Sequence, residues 1–254
     1  MYKKTSGINI FPKMIMFDYG NTLLYEPDWN PLHGIEALMP YVSKNPDNLT
    51  AEDIMSHFEY IFLKRLGEIK RTGYDIPGYI AAKFFLEYLR IELSIPYNQA
   101  ETVFWNAESP GAKMPGVSEM LSSLYSLGIK TAVISNLTMS GKGLSERISR
   151  LIPESKMEFV ITSGDYMFRK PDPMLFRLAI KKSGLAPEKI WFCGDNPNAD
   201  IEGAAGVGIF PVWYDSSIEC PYRDKEREVQ PSCNMLHIRH WSELTDFLQS
   251  ASEK

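Results

Sequence analysis

The stretch MIMFDYGN, Met14 to Asn21, reads as a short buried strand that stops abruptly at a carboxylate. Four apolar residues stand in a row, with none of the polar alternation of a half-exposed strand. Asp18, Gly20 and Asn21 then supply the residue types of a tight loop. A strand apolar on both faces has to be covered on both faces, so the rest of the chain must provide further strands beside it and helices above and below.

It does so. Thr131 to Ile134 (TAVI), Phe159 to Ile161 (FVI), Ile190 to Cys193 (IWFC) and Ile209 to Trp213 (IFPVW) are four more short apolar runs. Between them lie segments with apolar residues at i, i+3, i+4 and i+7, the helical period: Val117 to Ser126, Pro173 to Ser183 stopping at Gly184, and the shorter Ala199 to Ala205. Strands alternating with helices predict an α/β fold, a doubly wound parallel sheet. Pro211 lies inside the fifth run, which places that strand at an edge or makes the proline a strand end. A short strand and a helix are expected over His237 to Leu248, and a long loop over Ser216 to Ser232.

Residues 25–113 follow another pattern. They carry long helical periods, Ala51 to Arg71 and Tyr79 to Leu93, and no convincing buried strand. Asp28 to Pro31 and Glu108 to Pro115 are rich in Pro, Gly and polar residues and read as two linkers. The expected division is a core domain of residues 1–24 and 114–254 with a helical domain, 25–113, inserted after the first strand. Its aromatics, among them Phe58, Tyr60, Phe84, Phe85, Tyr88 and Trp105, are expected in the core of the insert.

Composition excludes several classes. The 254 residues are 44% hydrophobic and 23% charged, with a formal net charge of -5. That is ordinary for a globular protein and gives no basic footprint for nucleic acid or anionic membrane. The charged run Arg223 to Glu228 mixes signs. Cys193, Cys220 and Cys233 form no CxxC pair and no zinc spacing, as expected of free thiols in a reducing cytoplasm. Lys3 and Lys4 precede apolar residues, but Pro12, Lys13 and Asp18 interrupt them too soon for a leader. No stretch has the ~20 apolar residues of a membrane span.

Four features sit at the ends of the predicted strands, where open α/β sheets bind ligands. They are Asp18-Tyr19-Gly20-Asn21-Thr22, then Ser135-Asn136, then Lys170-Pro171-Asp172-Pro173, and finally Gly194-Asp195 with Asp200 in GDNPNAD. Each has a plain structural explanation: turns, or helix caps such as Asp172 before Pro173. Lys170 is not covered by it, since a cation gains nothing at a helix start. Two close carboxylates, Asp195 and Asp200, are not covered either, and a hard cation resolves their repulsion.

In this order, Asp-x-x-x-Thr, Ser-Asn, Lys-Pro and Gly-Asp-x4-Asp, the motifs resemble those of the haloacid dehalogenase-like hydrolase superfamily. The insert is similar to the helical cap many members carry. The resemblance implies a phosphatase acting on a small phosphorylated metabolite. Asp18 would be the nucleophile and form an aspartyl-phosphate, and Lys170 the charge-neutralising catalytic partner. Mg²⁺ would be held by Asp18, the carbonyl of Gly20, Asp195 and Asp200. Asn21, Thr22, Ser135 and Asn136 would serve the substrate side, with Ser135 and the backbone N–H of Asn136 on the phosphoryl oxygens and Thr22 holding the loop.

One departure stands out. Phosphatases of this superfamily have a second aspartate two residues after the nucleophile as general acid, where this chain has Gly20. Glu26, Asp28 and His33 are the nearest replacements. Phosphonate-cleaving relatives lack that aspartate and use a cap lysine, for which Lys44, Lys64, Lys70 and Lys83 are candidates. A phosphate- and metal-binding module without turnover is the third reading. Neither nucleic acid nor membrane is expected as a partner.

Overall fold

The computed structural model describes residues 11–218 and 230–252. Lys3, Lys4, Cys220, the run Arg223 to Glu228 and most of the expected loop from Ser216 to Ser232 lie outside the described residues.

Six strands form one parallel sheet: β1 (Met14–Phe17), β2 (Lys130–Ser135), β3 (Met157–Thr162), β4 (Ile190–Gly194), β5 (Phe210–Tyr214) and β6 (Leu236–Ile238), in the order β6-β5-β4-β1-β2-β3. β1 pairs with both β2 and β4, Ile15 opposite Thr131 and Trp191. It is therefore central, and all four of its residues are buried. The pleat sends them to two separate cores. Ile15 and Phe17 join Met120, Leu121, Leu144 and Trp241. Met14 and Met16 join Ile134, Leu175, Phe176 and Phe192 on the other face. Fully burying such a side chain contributes about 1.5–3 kcal/mol, so an uninterrupted apolar strand is stable only between two helical layers.

The helices supply those layers. Pro173–Ser183 begins with Asp172 accepting a hydrogen bond from the Met174 N–H at 2.8 Å and ends at Gly184, whose φ is +66°. Val117–Ser126 and Trp241–Ser252 pack on the opposite face. Pro211 needs no sheet edge. β5 lies between β4 and β6, but its pairing with β6 starts only at Val212. The proline is at the strand end, where it costs no ladder bond on that side.

The helices between Pro31 and Glu108 have a hydrophobic cluster of their own, including Ile35, Ile54, Phe85, Leu89 and Ile91. Where this segment leaves and rejoins the sheet region, Leu24–Tyr25 pairs antiparallel with Ala112–Lys113. Two expectations are corrected here. The helix from Gly78 stops at Tyr88 rather than Leu93, because the backbone turns left-handed at Arg90 (φ +58°) and the Ile91 N–H reaches back to the Leu86 carbonyl at 2.9 Å. The released residues Glu92–Leu93 pair with Val42–Lys44, a short antiparallel strand pair the sequence pattern did not disclose. The aromatics divide: Phe85 and Trp105 are buried, whereas Tyr60, Phe84 and Tyr88 are exposed. The other long helical stretch runs Ala51–His57, Phe58–Leu63 and Lys64–Lys70, with π-helical hydrogen bonding in the middle. No described helix is long and apolar enough to cross a membrane.

Candidate active site

The carboxyl ends of β1, β2 and β4 open into a cleft of about 260 Å³ lined by Asp18, Gly20, Asn21, Ser135, Asn136, Lys170, Asp195 and Asp200, among others. At its floor the Lys170 ammonium donates to Asp18 Oδ1 at 2.7 Å, to Asp200 Oδ1 at 2.6 Å and to the Ile134 carbonyl at 2.9 Å. Burial on its own would lower the lysine pKa, but the Asp18 and Asp200 carboxylates more than offset this and raise it. Lys170 is thus held as a cation. Burial pushes Asp200 the other way, upward, against the pull of Lys170.

Backbone geometry sets each of these groups. The Asn136 amide clamps Lys170, accepting from its N–H at 2.7 Å and donating to its carbonyl at 2.8 Å. Asp200 lies on the single turn Pro197–Glu202, capped by Asn196, and its Oδ2 accepts the Asn196 N–H at 2.9 Å. Gly194 is required by that approach: a Cβ there would lie 2.4 Å from the Asp200 carboxylate. Trp213, at the end of β5, donates its indole N–H to the Asp195 carbonyl at 3.2 Å.

Carboxylate oxygens of Asp18, Asp195 and Asp200 lie within 4.8 Å of one another, and all three residues are buried. Three carboxylates against one ammonium leave an excess of two negative charges. An oxygen-only donor set with that excess fits a hard divalent cation.

All the predicted site residues but one line this cleft. Thr22 does not: it is completely buried, and its hydroxyl has no hydrogen-bond partner among the described residues. Complete burial keeps it off the cleft wall. Asn136 does line it, but its side chain is committed to Lys170. Asn21 adopts a left-handed backbone (φ +54°), which turns the loop over the cleft. Of the replacement acids, Glu26 is tied to Tyr19 and Arg147, the latter at 2.7 Å, while Asp28 and His33 are exposed.

Sequence reasoning missed four buried charges, Asp75, Glu101, Glu108 and Arg147. Arg147 lies over the Trp105 ring and donates to the Tyr19 hydroxyl, Glu26 and the Ser109 carbonyl. Its signal was present, since it follows Leu144 by three and precedes Leu151 by four, on the apolar face of its helix. Asp75 and Glu101 leave the helical segment to bind the loops after β2 and β3. Asp75 accepts from Thr138, Ser163 and Arg169, and Glu101 from the N–H and hydroxyl of Ser140. Neither had a local signature.

A second, larger cavity of about 580 Å³ adjoins the cleft, sharing Tyr19, Gly20, Asn21, Asn136 and Leu137 with it, and extends among the helices of residues 31–108. Lys70, Glu101 and Glu108 are on its walls. Burial lowers the Lys70 pKa and pushes that of Glu108 up to about 7.

Comparison with known proteins agrees with this geometry. The family model described as haloacid dehalogenase-like hydrolase matches residues 100–213. A phosphoserine phosphatase of Thermus thermophilus is 30% identical over 160 residues, 63% of this chain and 54% of that enzyme. The chain thus spans about half the length of that relative. A glyceraldehyde 3-phosphate phosphatase of Pyrococcus abyssi is 26% identical over 210 residues, 80% of this chain and 81% of that enzyme. Among solved structures, a HAD phosphatase from Thermococcus onnurineus superimposes with a TM-score of 0.56 at 21% identity, covering 93% of this chain and 97% of that one. Residues 100–213 thus match the haloacid dehalogenase-like hydrolase family, and the six-stranded parallel sheet is the fold shared with the solved HAD phosphatase.

Proposed function

We propose that the protein is a Mg²⁺-dependent phosphatase that hydrolyses a small organic phosphate through an aspartyl-phosphate on Asp18, beneath a cap formed by residues 25–113. The observation that carries this reading is the contact of one buried ammonium, Lys170, with Asp18 and Asp200. A carboxylate nucleophile must meet a dianionic phosphoryl group, and fixed positive charge beside it offsets the repulsion. Lys170 also orients Asp18, leaving Oδ2 free to attack. Ser135, buried at the end of β2, would donate its hydroxyl to a phosphoryl oxygen. Asp18, Asp195 and Asp200 would hold the Mg²⁺, with the Gly20 carbonyl beside them. Bound there, the ion would supply the remaining charge against the phosphoryl oxygens. The cap would exclude water and select the leaving group.

The test is hydrolysis of aryl phosphates with and without Mg²⁺. Turnover abolished by Asp18→Asn and by chelation supports the reading; turnover that survives Asp18→Asn refutes it. With glycine at position 20, rates should fall steeply as the leaving-group pKa rises.

A second reading is favoured by Lys70. Lys44 and Lys83 form exposed ion pairs and Lys64 is exposed, whereas Lys70 lines the large cavity and burial lowers its pKa. An amine so placed is suited to imine formation with a carbonyl phosphonate. Borohydride trapping of such an adduct on Lys70 would select this reading; its absence would remove it.

A further inference from the structure

The cavity above the cleft is far larger than a three-carbon leaving group needs. At the ~30 Å³ one water occupies in the liquid, 580 Å³ holds roughly 19 water-sized groups. Its walls are chiefly aliphatic and aromatic, with Ile54, Phe58, Leu66, Phe85, Leu86 and Phe104 among them. The polar groups on those walls are mostly engaged already. Glu26 is held by Tyr19 and Arg147, Glu101 by Ser140, and the Asn136 amide by Lys170. A polyhydroxylated leaving group would find few partners, and each hydroxyl left unpaired would lower affinity roughly 5- to 150-fold. The shifts of Glu108 upward and Lys70 downward share burial as their leading cause, as a dry cavity requires.

From this we infer that the cavity is the leaving-group pocket for a phosphate monoester of a bulky, predominantly apolar alcohol or phenol. The phosphate would occupy the cleft at Asp18, and the apolar body would pass Gly20 and Asn21 into the space between the helices. The inference rests on the phosphatase reading of the cleft and adds the substrate class to it.

The experiment uses 4-methyl-, 4-butyl- and 4-hexylphenyl phosphate, whose phenols differ little in acidity, so the chemical step is constant along the series. Each added methylene should raise kcat/KM about threefold to fourfold until the cavity is full. The hexyl ester should exceed the methyl ester at least tenfold. Ala82→Phe places a ring in the cavity that Ala82 lines and should reduce the hexyl-to-methyl ratio tenfold or more. A flat or falling series in the unaltered protein overturns the inference, as does a ratio that Ala82→Phe leaves unchanged. If no aryl phosphate is hydrolysed, the phosphatase reading fails on its own. Calorimetry with the matching 4-alkylphenylphosphonates then decides the pocket: affinity rising with chain length supports it, and equal affinities overturn it.

Discussion

Asp75, carried by the segment between Lys70 and Gly78, is fully buried and forms an ion pair with Arg169, the residue directly before Lys170. Its carboxylate also accepts from Thr138 at 3.0 Å and Ser163 at 2.7 Å. The backbone reinforces the contact: the Asp75 N–H reaches the Met167 carbonyl at 2.6 Å and the Arg169 N–H the Gly73 carbonyl at 3.0 Å. One residue outside the sheet thus braces the loop that delivers Lys170 to the cleft. Asp75→Ala leaves four donors, Thr138, Ser163, Arg169 and the Ile76 N–H, without their acceptor and should cost about 3 kcal/mol, the low end for a broken buried ion pair because Arg169 is partly exposed. Since misplacing a catalytic group by about 1 Å can cost 10²-fold in rate, kcat on an aryl phosphate should fall toward that extent with little change in KM. Urea unfolding and steady-state kinetics check the two parts. An unchanged kcat would detach Asp75 from Lys170.

Lys170 neutralises two carboxylates at once. Lys170→Met should abolish turnover and destabilise the fold by about 3–5 kcal/mol, because Asp18 and Asp200 are left buried without their cation. Adding Asp200→Asn should restore part of the lost stability, since it removes one of the two carboxylates that Lys170 contacts. Denaturant midpoints of the single and double variants measure this coupling.

Position 20 has room for the carboxylate it lacks. A Cβ built on Gly20 meets nothing nearer than Asp18 Oδ2 at 3.9 Å, an ordinary contact. Gly20→Asp should therefore fold, and it should raise kcat selectively for alkyl phosphates, whose departing oxygen needs a proton. A positioned general acid contributes at most about 10²–10⁴-fold. Activity toward aryl esters with acidic phenols should change much less. Equal gains on both classes would argue against proton donation.

Glu108 makes folding depend on pH. Burial raises its pKa from 4.5 to about 7 in the folded protein, with Trp29 donating a hydrogen bond in partial compensation. A raised folded pKa means stability is whole below 4.5, declines as pH climbs from 4.5 toward 7, and levels off above. The full penalty is about 3 kcal/mol. Glu108→Gln carries no such penalty. Its melting temperature should match that of the unaltered protein near pH 4.5 and exceed it increasingly up to pH 7. A constant difference across that range would contradict a buried, titrating Glu108.

The same residues show what was legible in the sequence. MIMF announced a central strand because a run with no polar interruption is stable only between two covered faces. Asp172-Pro173 and Gly184 marked one helix at both ends through local backbone chemistry. Asp18, Lys170, Asp195 and Asp200 could be read as one site because parallel strands deliver the residues after them to one edge of the sheet.

What stayed hidden depended on contacts between segments distant in sequence. Arg90 turning left-handed and freeing Glu92–Leu93 to pair with Val42–Lys44 is decided by packing, which no helical period records. Asp75, Glu101 and Arg147 stand out only once the fold buries them against partners 38 to 128 positions away. Strand order of motifs and apolar periodicity are local and additive, so the sequence by itself determined the sheet and the cleft. The reach of Asp75 to Arg169 and the cavity among the helices arise where elements meet, and burial there sets the energies, so only the tertiary structure decided them.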